Sequence, residues 1–215
     1  MSLSPAAPGG PAQPRLRLRL TPAAEYAVRT GHPWVYGERI REMNREGVSG
    51  EIAVVYDRKD RFLALGLYDP DSPIRFRVLH SGKPVMVDDA WWRERMAASL
   101  ARREGVLTEQ TNGLRWINGE SDGWPAMVVD QYARTLVLKL YSAVWLPRIA
   151  DLTRWLREFL KPERIVLRLS RNATTSFEQA GYQDGQNLWG DDTSGSVVFL
   201  EDGIQFWSDV VKGQK

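Results

Sequence analysis

Two glycines four residues apart, Gly119 and Gly123, punctuate the run Asn118-Gly-Glu-Ser-Asp-Gly-Trp-Pro-Ala-Met-Val-Val-Asp130 and leave the backbone few options. Apolar segments flank it, at Gly113–Asn118 and Ala126–Asp130, and both read as strands. The run is then a strand-to-strand turn. Its glycines supply positive φ, and Asp122 caps backbone N–H groups. The same letters also spell G-x-S-x-G, the nucleophile elbow of a serine hydrolase. That elbow needs a helix directly after the serine and a histidine further along the chain. Here Trp124-Pro125 leads into a Val-Val strand, and both histidines, His32 and His80, lie upstream.

The segments before this turn are short and strand-like. Arg15-Leu-Arg-Leu-Arg-Leu20 alternates strictly, which places three Arg on one face and three Leu on the other. Thr21-Pro22 opens a short helix that runs to about Arg29, with Gly31 at its end. Strands are expected at 51–56, 61–68 and 74–79, with Asp57–Asp60 as a turn and Asp69–Pro73 as a loop. Short strands at this spacing suggest a small β-barrel of roughly 70 residues, at 15–83.

Asp88–Gly105 reads as a connecting helix with Trp92, Met96 and Leu100 on its apolar stripe. A strand at 135–141, a helix at 147–160 and a strand at 164–169 form a β-α-β arrangement. The polar, glycine-rich stretch 170–195 is expected to be a long loop. Asp202-Gly203 between two apolar runs signals a hairpin. The fold class is α+β: a leader at 1–14 expected to be disordered, a barrel at 15–83, an α+β middle domain at 84–200, and a closing segment at 201–215.

Composition narrows the function classes. The chain has no Cys, which removes disulfides, cysteine–zinc sites and a cysteine nucleophile from it. Two histidines make a multi-His metal site improbable, so no metal is expected. No window is apolar enough for a membrane helix and no signal peptide is present, so a cytoplasmic location without membrane attachment is expected. The net charge of +2 is uneven. Residues 1–83 are net positive and the remainder slightly negative, so the barrel is the part suited to face a polyanion.

Within the barrel the candidate RNA-contacting residues are Arg15, Arg17, Arg19, Arg29, His32, Trp34, Arg75 and Arg77. The first three line one strand face, as phosphate contacts or as a solvated surface. His32 and Trp34 flank Pro33 at a tight turn, where Trp34 either plugs the barrel or stacks on a base. Arg75 and Arg77 alternate with Ile74, Phe76 and Val78, extending the basic surface or simply solvated. The Trp91-Trp92 pair is read as helix packing.

The run at 118–130 resembles the central signature of a family of class I S-adenosylmethionine-dependent methyltransferases that modify cytosine C5 in 23S rRNA. Arg29-Thr-Gly-His-Pro-Trp-Val-Tyr36 resembles the motif of that family's N-terminal PUA domain, a small RNA-binding barrel. Glu201-Asp-Gly-Ile-Gln-Phe206 with Gly213-Gln-Lys215 resembles the lead-in to its catalytic domain. The resemblance runs from about Leu16 to Lys215. It implies a large-subunit rRNA partner, S-adenosylmethionine as cofactor of the full-length protein, and dimers among full-length relatives. It also implies a cleft-facing loop at Asn118, Glu120, Ser121 and Asp122, with Lys215 near the cofactor entrance. The Rossmann-like catalytic domain and the catalytic cysteine are expected to be absent from this chain. The 215 residues alone are thus expected to be inactive, to bind no cofactor and to hold no catalytic residue, with RNA recognition as their role. A stand-alone RNA-binding adaptor without enzymatic activity is the alternative.

Overall fold

The computed structural model describes residues 14–191 and 194–213; the expected leader, Pro14 apart, and Lys215 lie outside these residues. The alternating run forms β1 (Leu16–Leu20), with all three leucines buried and Arg17 and Arg19 on the opposite face. Thr21 caps α1 (Pro22–Arg29), its hydroxyl accepting from the Ala24 N–H. Then come β2 (Trp34–Tyr36) and β3 (Ile40–Met43), joined by a 3-10 turn at Gly37–Arg39. Neither strand is visible in the sequence, because three or four residues are too few to show a period of two. β4 (Ile52–Tyr56), β5 (Phe62–Tyr68) and β6 (Ile74–Ser81) lie within two residues of their expected bounds.

These six strands form one sheet in the order β2-β6-β5-β4-β1-β3. Its two edge strands are joined by only three residues, which span about 10 Å at most. In a flat sheet of six strands they would lie about 24 Å apart. The sheet must therefore curl, and the expected barrel follows from that connection.

The second half begins with α2 (Asp89–Ala101), capped by the Asp88 carboxylate, which accepts from the Trp91 N–H at 2.9 Å. It ends four residues before Gly105, so Arg102 and Arg103 do not continue it as expected; their guanidiniums serve the 118–123 turn instead. β7 (Gly113–Asn118), β8 (Met127–Tyr132) and β9 (Thr135–Leu140) form an antiparallel meander. α3 (Ile149–Leu160) crosses over to β10 (Arg164–Leu169), parallel to β9.

The expected loop at 170–195 is instead α4 (Arg171–Gln179) followed by β11 (Asn187–Trp189), which extends the sheet beside β10. The sequence of α4, Arg-Asn-Ala-Thr-Thr-Ser-Phe-Glu-Gln, has weak intrinsic helix propensity. Tertiary packing holds it: Ala173 and Phe177, one turn apart, are both fully buried. The hairpin β12 (Ser196–Glu201) and β13 (Ile204–Asp209) forms as expected. It docks on the middle sheet through Asn112 and a 4.9 Å Tyr132–Phe199 ring contact.

The two halves share one core. Val54, Leu65, Leu67 and Leu79 of the barrel pack with Trp92, Trp124, Trp145 and Trp155 of the middle domain. The expectation that Trp91-Trp92 serves packing holds, with Trp92 in ring contact with Trp91, Trp124, Trp145 and Trp155. The buried indoles keep acceptors for their N–H groups: Trp124 donates to Ser99 at 2.9 Å and Trp145 to the Pro125 carbonyl at 2.7 Å. At Gly50, φ is +80° and a Cβ would lie 2.4 Å from the Val144 carbonyl oxygen. Only glycine allows the two backbones this close.

Candidate functional site

The 118–123 turn is locked from inside. Gly119 and Gly123 both have positive φ, as expected, and residues 119–122 form one 3-10 turn. The buried Asp122 carboxylate accepts from the Asn118 N–H at 2.7 Å, from Arg103 at 2.6 Å and from Arg102 at 3.0 Å. Burial pushes its carboxyl up, but the bonds from Arg103, Asn118 and Arg102 outweigh this and hold it below the usual carboxylate range. Asp122 is therefore the anchor of the loop and not, as expected, one of its cleft-facing groups. Arg95 ties the same turn to the barrel, donating to the Gly123 carbonyl at 2.9 Å and the Leu79 carbonyl at 2.7 Å. Burial, with Arg102 nearby, lowers its pKa to about 10.

Held this way, the turn presents Asn118, Glu120 and Ser121 to a cleft of about 970 Å³ between the barrel and the middle sheet. The barrel contributes Trp34, Tyr36 and Arg77, and the middle domain adds Arg115, Tyr141 and the start of α4. Across the cleft the Trp34 indole N–H donates to Glu120 Oε1 at 2.8 Å. Trp34 thus neither plugs the barrel nor stands free. A second bond, buried, runs from the Ser142 hydroxyl to Asp69 Oδ2 at 2.7 Å. Arg115 forms a forked pair with Asp130, at 2.8 and 3.3 Å, and reaches Asn118 Oδ1 at 3.2 Å.

Arg77 departs from the expected basic surface, being only 5% exposed. Its face of β6 is turned into the cleft and not to solvent, with Asp69 and Glu120 near enough to act on its charge. Its guanidinium donates to the Ser72 hydroxyl at 3.2 Å, while its Nε has no partner. Burial draws its pKa below the ordinary value, against the opposing pull of Asp69, Glu120 and Tyr36.

The remaining candidates lie elsewhere. Arg19 and Arg29 converge on the 57–60 turn: Arg19 reaches the Asp57 carbonyl at 2.9 Å and Asp60 at 2.6 Å, and Arg29 reaches the Asp57 carboxylate at 2.6 Å. Arg61 joins at 2.9 Å. The buried Asp57 carboxyl is held well below its usual range, chiefly by the Arg61 backbone N–H. Arg17 lies 4.3 Å over the Tyr56 ring. Arg15 is exposed, and Arg75 packs beside Gly37 on a separate groove. His32 bonds the backbone of Trp34 and His80 the carbonyl of Lys83, and among the described residues neither is hydrogen-bonded to Ser121.

The strand-to-helix connection of the β9–α3–β10 unit begins Tyr141-Ser142-Ala143, with no glycine. Ser142, Val144 and Trp145 are buried there, so this turn does not fit a nucleotide-type cofactor. Among the described residues no group of three or more His, Cys, Asp or Glu is placed to hold a metal, and no helix is long and apolar enough to cross a membrane. Tyr36 and Tyr141 escape the sequence reading because a lone tyrosine at a strand end carries no pattern.

Comparison with known proteins bears on both halves. Residues 18–81 match the PUA-like domain family. The ribosomal RNA large subunit methyltransferase of Deinococcus radiodurans is 53% identical over 207 residues, 94% of this chain and 51% of that protein. Ribosomal RNA large subunit methyltransferase I of Shewanella denitrificans is 29% identical over 209 residues, 93% of this chain and 50% of its own length. Among solved structures, "a putative SAM-dependent methyltransferase from Streptococcus mutans" superposes with a TM-score of 0.74 at 14% identity, covering 93% of this chain and 50% of that one. A second such structure, complexed with SAH, gives 0.75 at the same identity. The chain spans about half the length of the curated relatives it matches. Residues 18–81 thus match a PUA-like domain, and nearly the whole chain is similar to large-subunit rRNA methyltransferases.

Proposed function

We propose that this chain supplies RNA recognition for an S-adenosylmethionine-dependent methyltransferase of large-subunit rRNA, acting at cytosine C5. The observation that carries the reading is the cleft: one wall is a PUA-like barrel, the other a sheet of the relatives' kind, and the Trp34–Glu120 bond joins them. In this reading the cleft takes the RNA segment, and the exposed arginines of the barrel meet its phosphates.

Methylation at C5 calls for a thiolate that attacks C6 and makes C5 nucleophilic. S-adenosylmethionine supplies the methyl group when bound. Residues 1–215 contain no cysteine. They therefore bind and position RNA, and methyl transfer requires groups that they do not provide. A cytoplasmic site of action and a homodimeric assembly go with this reading.

The test is fluorescence anisotropy of the chain with labelled fragments of large-subunit rRNA, paired with a tritiated S-adenosylmethionine assay. Binding that weakens with added salt, without methyl transfer, is the expected result. Affinity no tighter than roughly 100 µM at about 50 mM salt would sink the recognition role. Methylation by the chain alone would sink the division of labour.

A further inference from the structure

We propose that the cleft is a reading site for one unpaired RNA base carrying an exocyclic amino group, which stacks on Tyr36 or Tyr141 and donates to Glu120. The inference rests on the RNA-recognition role above and specifies what that role selects.

Three observations carry it. First, exposed aromatic side chains from both halves, Tyr36 of the barrel and Tyr141 of the middle domain, line the same cleft. Paired bases in an A-form helix offer no free face, whereas an unstacked base stacks readily on such rings. Second, the solvent-accessible charged groups left uncommitted in the cleft are carboxylates. Arg115 is committed to Asp130 and Asn118, and Arg77 is buried, with one bond to Ser72 and an unpartnered Nε. Asp69 is committed to Ser142. Glu120 Oε1 is filled by Trp34 and by the Ala126 N–H at 3.2 Å, which leaves Oε2 open, and the exposed Asp71 lines the same cleft. Carboxylates repel a phosphate and accept from an amino group such as cytosine N4. Third, Glu120 is preorganised: two N–H donors hold one oxygen and its turn is anchored by Asp122, so the free oxygen is aimed before the ligand arrives.

The phosphates of the same strand then lie outside the cleft. Base selection and backbone attraction reside on different surfaces and are separable by mutation.

The test uses the whole chain and labelled uridine octamers in which one central position is C, A or U. The wild type is expected to bind the C- and A-centred strands about tenfold tighter than the all-U strand. Tyr36→Ala with Tyr141→Ala should weaken all three by about tenfold or more while leaving the melting temperature in place. Glu120→Gln keeps an oxygen for the Trp34 N–H but adds a donor. It should bring the C- and A-centred strands to the affinity of the all-U strand. Equal affinity for all three strands, with the cleft variants unchanged, would overturn this inference while leaving RNA recognition to the arginine face. Competition by free cytidine monophosphate at the strand's own affinity would also overturn it, since the cleft would then serve a mononucleotide. No binding of any strand would remove the RNA role and this inference together.

Discussion

The arginine face of the barrel and the interdomain cleft are built on opposite principles. On the face, cations stand close in sequence and are exposed, yet they are largely spoken for: Asp57 and Asp60 engage Arg17, Arg19, Arg29 and Arg61. In the cleft, residues from positions 34 to 176 meet only in three dimensions, and a committed Arg sits beside an uncommitted carboxylate oxygen. Exposed paired charges are worth little individually and are screened by salt. Buried, preorganised groups act at short range and discriminate. One surface suits capture of any polyanion, the other selection among bases.

The largest effect expected on this contrast is at Asp122. Replacing it with Ala removes the acceptor for the Asn118 N–H and leaves the Arg103 guanidinium only the Ser99 carbonyl, at a cost of about 2–4 kcal/mol. The midpoint of urea denaturation should drop accordingly, and base selection in the cleft should fail with it. An unchanged midpoint would mean that the turn is held by its glycines alone. The sign of the pH dependence follows. Asp122 and Asp57 both have depressed folded-state pKa values, so their stabilisation is present above the unfolded value of about 3.9 and is lost as pH falls through their folded values. Urea midpoints of the wild type should fall below about pH 4, and those of Asp122→Asn less steeply.

Next is Ser142→Ala, which removes the donor to Oδ2 of the buried Asp69 at the seam between the halves and leaves it the Asp71 N–H on Oδ1, at about 1–3 kcal/mol. Differential scanning calorimetry should show a lower melting temperature with a single transition retained, because the tryptophan core is common to both halves. Two separate transitions would contradict the shared core.

These sites show what the sequence carried and what it did not. Strict alternation from Arg15 to Leu20 announces β1, and the Thr21-Pro22 cap announces α1. The glycines of the 118–123 turn and the Asp202-Gly203 hairpin are equally legible, since each depends on neighbours within a few residues. α4 was hidden because two apolar anchors in nine polar residues look like a loop until a groove receives them. Arg77 was misplaced because the turn that comes to face its side of β6 is remote in sequence. The cleft was half legible: Trp34 and Glu120 were each candidates, but a hydrogen bond across 86 positions leaves no local trace. Tyr36 and Tyr141 left none at all.

A smaller effect sharpens the comparison from the other side. Asp60→Asn should release Arg17 and Arg19 from their exposed pairs. RNA binding at low salt should tighten by about threefold and depend more steeply on salt, while the preference for amino-bearing bases stays as it was. A changed base preference would mean that the two surfaces are coupled.

The smallest effect on stability is expected at the hairpin, a third surface unlike either. Phe199 turns inward onto Tyr132, and Phe206 stacks on Phe199 at 5.7 Å, so one face of the hairpin is docked. Val198 and Trp207, paired across the strands, point the other way, and Trp207 is 64% exposed. Among the described residues β13 pairs only with β12, so its outer edge also offers unpaired backbone groups. An apolar patch beside an open strand edge favours association with a second copy. Light scattering should therefore show mass rising with protein concentration. Trp207→Ser removes an exposed ring without opening a cavity, so it should change unfolding free energy by no more than about 0.5 kcal/mol while returning the mass towards that of a monomer. A wild-type chain that stays monodisperse and monomeric at high concentration would show that the edge is protected by its own twist and charge.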